Sequence, residues 1–173
     1  AVPAFIVSSC LRSNPVMVYF GQELGEKGMD CEGFSGQDGR TTIFDYWNVD
    51  SIYRWSNRGR WNTHLLSEKE KELRKTYETI LHICQKEQAI SKGEFFDLMY
   101  VNLNGWQMNE HKQYAFLRKY GQEVLFIMVN FSDTASQVAV NVPAHAFEYF
   151  KMTPSAQCNA KDLLTGKTEK ICF

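Results

Sequence analysis

Residues 15–47 read PVMVYFGQELGEKGMDCEGFSGQDGRTTIFDYW. Val16, Met17, Val18, Tyr19 and Phe20 form an unbroken apolar run, the pattern of a parallel strand buried on both faces, and Gly21 ends it just before Gln22 and Glu23. An apolar strand that runs straight into a polar, glycine-broken loop is how a barrel strand delivers side chains to a pocket. Residues 30–40 contain three glycines among polar residues, and Gly39 and Arg40 lead into Thr41, Thr42, Ile43, Phe44, Asp45, Tyr46 and Trp47, a β-prone run rich in aromatics. A loop of this length inside a compact domain is usually functional, so a substrate-lining role is expected of residues 30–40 and the run that follows.

Working outward, the first fourteen residues, AVPAFIVSSCLRSN, read as the end of a helix. Residues 67–89 give the clearest helix of the chain: Ser67 and Glu70 stand at capping-box spacing, and Leu73, Tyr77, Ile80, Leu81 and Cys84 share one apolar face. Its SEKEKELRK run is a solvated face. After Ser91, Lys92 and Gly93 the period changes to two, with strands expected over 95–101, 113–119, 124–131, 137–143, 147–152 and 170–173. The runs either side of Gly121 are expected to pair as a central hairpin whose second strand is covered on both faces. The resulting class is α+β, with an antiparallel β-domain at the C-terminal end.

YFGQELG followed by DGRTTIFDYW resembles the last strand of the catalytic barrel, and the loop after it, in alpha-amylase family glycoside hydrolases (family 13) of the bacterial starch-degrading type. That family carries a Y-Y-G-Q-E-I-G segment at this place, from which the chain departs at Phe20 and Leu24. Further on, YAFLRKYGQEVLFIMVNFS and DLLTGK resemble the family's C-terminal β-sandwich, so the resemblance covers nearly the whole chain.

The resemblance implies a remnant of the last strand and helices of a (β/α)8 barrel over residues 1–91, followed by an antiparallel β-sandwich over 92–173 that lacks its final strand. A complete barrel takes roughly 250 residues, and the chain has 173. Retaining glycoside hydrolysis needs two carboxyl groups about 5 to 5.5 Å apart, as nucleophile and acid/base. In the family these, with a supporting histidine and aspartate, belong to earlier strands. No residue here inherits those roles, and the chain alone is expected to be inactive. Tyr19, Gln22, Glu23, Arg40, Tyr46 and Trp47 would line the α-glucan cleft of the intact enzyme. Aromatic faces stack on sugar rings, which makes Tyr53, Trp55 and Trp61 further candidates beside the plainer reading of core packing.

Two alternatives stand beside the hydrolase fragment. Asn102, Asn104, Trp106 and Gln107 form a polar and aromatic loop, with Trp106 as a sugar platform for an autonomous glucan-binding module; a turn capped by asparagines explains the same residues. A packing or association domain is the third reading, with self-association through the barrel remnant or an open sheet edge.

A net charge of −1 gives no electrostatic case for a nucleic-acid partner, and Arg54, Arg58 and Arg60 are expected to pair with Asp45 and Asp50. No apolar stretch approaches the roughly 20 residues that span a bilayer, so no membrane partner is expected, and the setting is soluble, in bacterial cytoplasm or periplasm. The five cysteines are scattered without C-x-x-C spacing, which favours buried free thiols over a disulfide framework, with one pair able to join in an oxidising compartment. Glu23, Glu26, Asp30, Glu32 and Asp38 crowd one loop but lack the spacing of a calcium loop. No cofactor is therefore expected of this chain, and calcium is left to the parent enzyme.

Overall fold

The computed structural model describes residues 1–26, 49–104, 107–155 and 157–171. They form two units of packing: Ala1 with Val16–Thr79, and Val2–Pro15 with Ile80–Phe173.

In the first unit, residues 16–20 depart from the strand expected of them. They form no strand pairing among the described residues, Phe20 already belongs to a turn, and they alternate between half-buried and exposed positions, with Met17 80% exposed. A strand needs neighbours to satisfy its backbone groups, and this unit has no other strand among the described residues. The chain then turns through a short 3-10 segment, Gln22–Leu24, bracketed by Gly21 and Gly25. Gly21 has φ 76°, and a Cβ there would come within 2.8 Å of the Glu26 Cβ, so only glycine fits. Leu24 drops into a core with Val49, Ile52 and Leu66, against which Phe20 and Trp55 pack. Ile52 and Trp55 lie three apart on helix α2 (Asp50–Ser56), so one face of that short helix supplies both.

The capping box forms as the sequence predicts. The Ser67 N–H and hydroxyl both donate to Glu70 Oε2, at 2.7 and 2.8 Å, and the Glu70 N–H donates back to Ser67 Oγ at 3.3 Å. The helix that follows (Glu68–Lys86; α3 here, with Val2–Cys10 as α1) buries Tyr77 and Ile80. Leu81, expected on this face, lies on the flank of the stripe and is exposed.

In the second unit, β1 (Glu94–Asp97), β2 (Gln113–Tyr120) and β3 (Glu123–Asn130) make an antiparallel sheet in that order. The expected hairpin joins β2 to β3, with Gly121 at φ 57° in its turn. The strand covered on both faces is β2, however, and not β3. The central position shields it, whereas β3 is an edge strand and Phe126 remains exposed. Alternation sorts β2 between two cores. Phe116 packs with Cys10 and Ile90 on the side of α1 and the short helix α4 (Gln88–Ser91), while Ala115 and Leu117 pack with Phe96, Leu98, Ala146 and Phe150 on the other. Between α4 and β1, a Cβ on Gly93 would lie 2.2 Å from the Ala89 carbonyl oxygen, which fixes glycine where the chain passes its own helix.

Three expected strands change. The first ends at Asp97 and gives way to a 3-10 turn, Met99–Val101. Residues 137–143 form no regular element. Residues 147–152 fall largely in a helix, α5 (Ala144–Phe150), which Pro143 precedes as its extended N-cap with its carbonyl accepting from the Ala146 N–H at 2.9 Å, and the four-residue spacing of buried Ala146 and Phe150 marks the helical face. The C-terminal strand is present as β5 (Thr168–Ile171), paired antiparallel with β4 (Cys158–Lys161), a strand that the alternation had not indicated. The class is α+β with antiparallel sheets. No helix among the described residues is long and apolar enough to cross a membrane.

Candidate functional site

The glycine-bracketed turn presents three of the residues singled out in the sequence. Gln22 is clamped from both ends: its Oε1 accepts from the Tyr19 N–H at 3.0 Å, and its Nε2 donates to the Tyr77 hydroxyl on α3 at 3.1 Å. Its amide thus ties the turn to the helix and is largely spent within the protein. Tyr19 is 52% exposed, and Glu23, in the middle of the 3-10 turn, is partly exposed. The turn therefore leaves the Tyr19 residue exposed and Glu23 partly exposed, with Gln22 tied to Tyr19 and Tyr77 between them. Glu26, next in the loop, accepts from the Ser51 hydroxyl at 2.6 Å. Arg40, Tyr46 and Trp47, the other residues expected to line a cleft, lie outside the described residues, as do Asp30, Glu32, Asp38 and Asp45.

Beside this turn, the same unit holds a polar cluster that sequence reasoning missed. Of the expected pairing of Arg54, Arg58 and Arg60 with Asp45 and Asp50, Asp45 lies outside the described residues; the Arg54 guanidinium donates to both oxygens of Glu70, from Nε at 3.1 and 3.3 Å and from Nη2 at 2.5 Å, with Asp50 a further negative charge acting on it. Burial pulls the Glu70 carboxyl up, but Arg54 and the Ser67 N–H and hydroxyl outweigh it and hold Glu70 below the usual carboxylate range. The Glu70 hydrogen bond raises Arg54 in turn. The available signal was Glu70 itself, a capping-box carboxylate with oxygen lone pairs left over after Ser67 is served. Arg74 stacks over the Trp55 ring at 4.3 Å, so Trp55 is packing material, while Tyr53 and Trp61 remain exposed.

In the second unit, Asn102 behaves as a turn residue. Its buried amide donates to the carbonyls of Leu98 and Asn141 at 2.7 and 3.0 Å, and its Oδ1 accepts from the Asn141 N–H at 2.8 Å. Asn104 adopts φ 56° in the same loop, a conformation asparagine tolerates. Trp106 lies outside the described residues.

The last polar knot is the turn between β4 and β5. Asp162 accepts from the Leu164 N–H at 2.9 Å and from the Thr165 hydroxyl, and its own carbonyl accepts from the Gly166 N–H at 2.7 Å. This is the DLLTGK segment, and it folds as an aspartate-centred turn. Among the described residues, no group of three or more His, Cys, Asp or Glu is placed to hold a metal ion.

With β2, β3, α5, β4 and β5 in view, the comparison with protein families becomes specific. Residues 106–170 match the family described as alpha amylase, C-terminal all-beta domain. The alpha-amylase match takes in the β2–β3 hairpin and the DLLTGK turn, the two segments whose sequence carries the resemblance at this end of the chain. It fits a β-sandwich, and the antiparallel pairs β2–β3 and β4–β5 fall within it. It also brackets α5, so the helix belongs to the matched region. No curated protein and no solved structure matches the chain.

Proposed function

We propose that the chain is the C-terminal segment of an alpha-amylase-like glycoside hydrolase of the bacterial starch-degrading type, acting on α-glucans such as starch and maltooligosaccharides. The observation that carries this reading is the family match over residues 106–170. The YFGQELG turn supports it, since it leaves Tyr19 exposed and Glu23 partly exposed between Gly21 and Gly25, which suits contact with sugar hydroxyls and ring faces. In this reading Arg40, Tyr46 and Trp47 line the same cleft, and Gln22 positions Tyr19 without touching the sugar. The reacting carboxylates belong to barrel residues outside this sequence, so the chain alone does not turn over glucan.

Proton NMR on maltoheptaose with the purified chain tests both halves of the proposal in one tube. Saturation transfer to the sugar without new reducing-end anomeric signals is the expected result, and Tyr19→Ala should weaken it. New anomeric signals would overturn the assignment of the chemistry to other residues. Absence of both signals would remove glucan contact from this chain and leave it a packing domain.

A further inference from the structure

The thiols of Cys10 and Cys84 lie 3.9 Å apart, although 74 positions separate them in sequence. Cys10 ends α1 and Cys84 sits in the last turn of α3, and both belong to the same unit of packing. The two differ in setting. Cys10 is buried with Ile90 and Phe116, whereas Cys84 is partly exposed and also lies 3.8 Å from the Ser9 carbonyl oxygen. Nearby, the buried guanidinium of Arg118 donates to the carbonyl of Leu11, the residue after Cys10, at 3.0 Å.

We propose that Cys10 and Cys84 form a redox-active dithiol that closes to a disulfide on reaction with a small-molecule disulfide such as oxidised glutathione. A disulfide needs its sulfurs about 2.05 Å apart, so each side chain has only a short distance to close. The asymmetry of the pair assigns the order of events. The contact with Cys10 holds the Cys84 thiol below its ordinary pKa, while the same contact and burial push Cys10 up. Cys84, the more accessible sulfur and the readier thiolate, attacks the small disulfide, forming a mixed disulfide and releasing one thiolate. Cys10 then gives up its proton, the positive charge of Arg118 favouring the anion, and attacks the Cys84 sulfur. The second small thiolate leaves. Two electrons pass from the protein thiols to the small disulfide, which departs as two thiols.

The bond would close a loop from the end of α1 to the end of α3 that contains all of residues 16–79, and constraining so long a loop restricts the unfolded chain. The oxidised protein is accordingly expected to unfold at a higher temperature than the reduced one.

The test is to incubate the full chain with oxidised glutathione under native conditions, denature it in excess alkylating agent, and map the cysteine peptides by mass spectrometry. A peptide pair joining Cys10 to Cys84, two hydrogens lighter and released by reductant, is expected as the main product. Cys10→Ser should instead trap glutathione on Cys84, whereas Cys84→Ser should leave Cys10 alkylated. Recovery of both residues alkylated from the wild-type chain would overturn the proposal whether or not the variants fold. So would pairing of either with Cys31, Cys158 or Cys172.

Discussion

Arg118 donates from Nη1 to the carbonyl of Leu11 at 3.0 Å, across 107 positions of the sequence. Its Nε and Nη2 reach the carbonyls of Ala89 and Ile90 at 3.0 and 2.6 Å, and the residue is 3% exposed. The buried charge is met by carbonyl oxygens, that of Leu11 just past the C-terminal end of α1, where the helix dipole is negative, and those of Ala89 and Ile90 within the single turn of α4. One side chain of the central strand thereby ties two helices to the sheet.

Replacing Arg118 with methionine keeps much of the volume but orphans three carbonyls. A cost of about 2–4 kcal/mol is expected from the loss of charged hydrogen bonds and from unsatisfied buried acceptors. Urea unfolding should show the midpoint fall, and Arg118→Lys should recover part of it, since an ammonium cannot serve all three carbonyls at once. Equal midpoints for Arg118→Met and the wild type would refute this account.

Glu70 joins a helix cap to a partly exposed arginine. Glu70→Ala is expected to lose about 2 kcal/mol, mostly from the cap, because the side chain of Arg54 is 38% exposed and solvent screens that pair. The folded-state carboxyl titrates below its ordinary value, so its stabilisation is complete above the unfolded glutamate pKa and is lost as pH falls through the depressed one. Acid titration of the unfolding midpoint should show this limb in the wild type and a flatter one in Glu70→Gln.

Asp162 organises the β4–β5 turn, and its carboxyl is held below the usual range first by the Thr165 hydroxyl and then by the Leu164 N–H. Asp162→Ala should speed amide exchange along β4 and β5 while leaving the β2–β3 hairpin as protected as before. In the wild type the same local opening should appear only as pH drops below the ordinary aspartate range toward the depressed value. Uniform loss of protection across both sheets would show that the turn is not a local device.

Much of the architecture was legible where local chemistry is strong. Ser67 and Glu70 declare a helix start because the cap is satisfied within four residues, and Gly121 between two apolar runs declares a hairpin for the same reason. Residues 147–152 misled because Phe147, Tyr149 and Phe150 satisfy a strand pattern and a helix pattern at once over so short a run. Burial of Ala146 with Phe150 decided for the helix. Residues 16–20 misled differently: their composition suits a strand, but a strand also needs partners, and sequence composition does not supply them.

Of the candidate site, the sequence by itself determined the YFGQELG turn, since Gly21 and Gly25 dictate its backbone and Tyr19, Gln22 and Glu23 follow by adjacency. It also determined the β2–β3 hairpin, whose apolar runs and turn glycine act over short distances, though not α5 or β4 within the same matched region. Only the tertiary structure decided that Gln22 meets Tyr77, that Arg54 chooses Glu70, that Arg118 reaches Leu11, and that Cys10 meets Cys84. Each of these joins residues far apart in the chain. Their pairing is set by how helices and strands pack, and no spacing in the sequence encodes it.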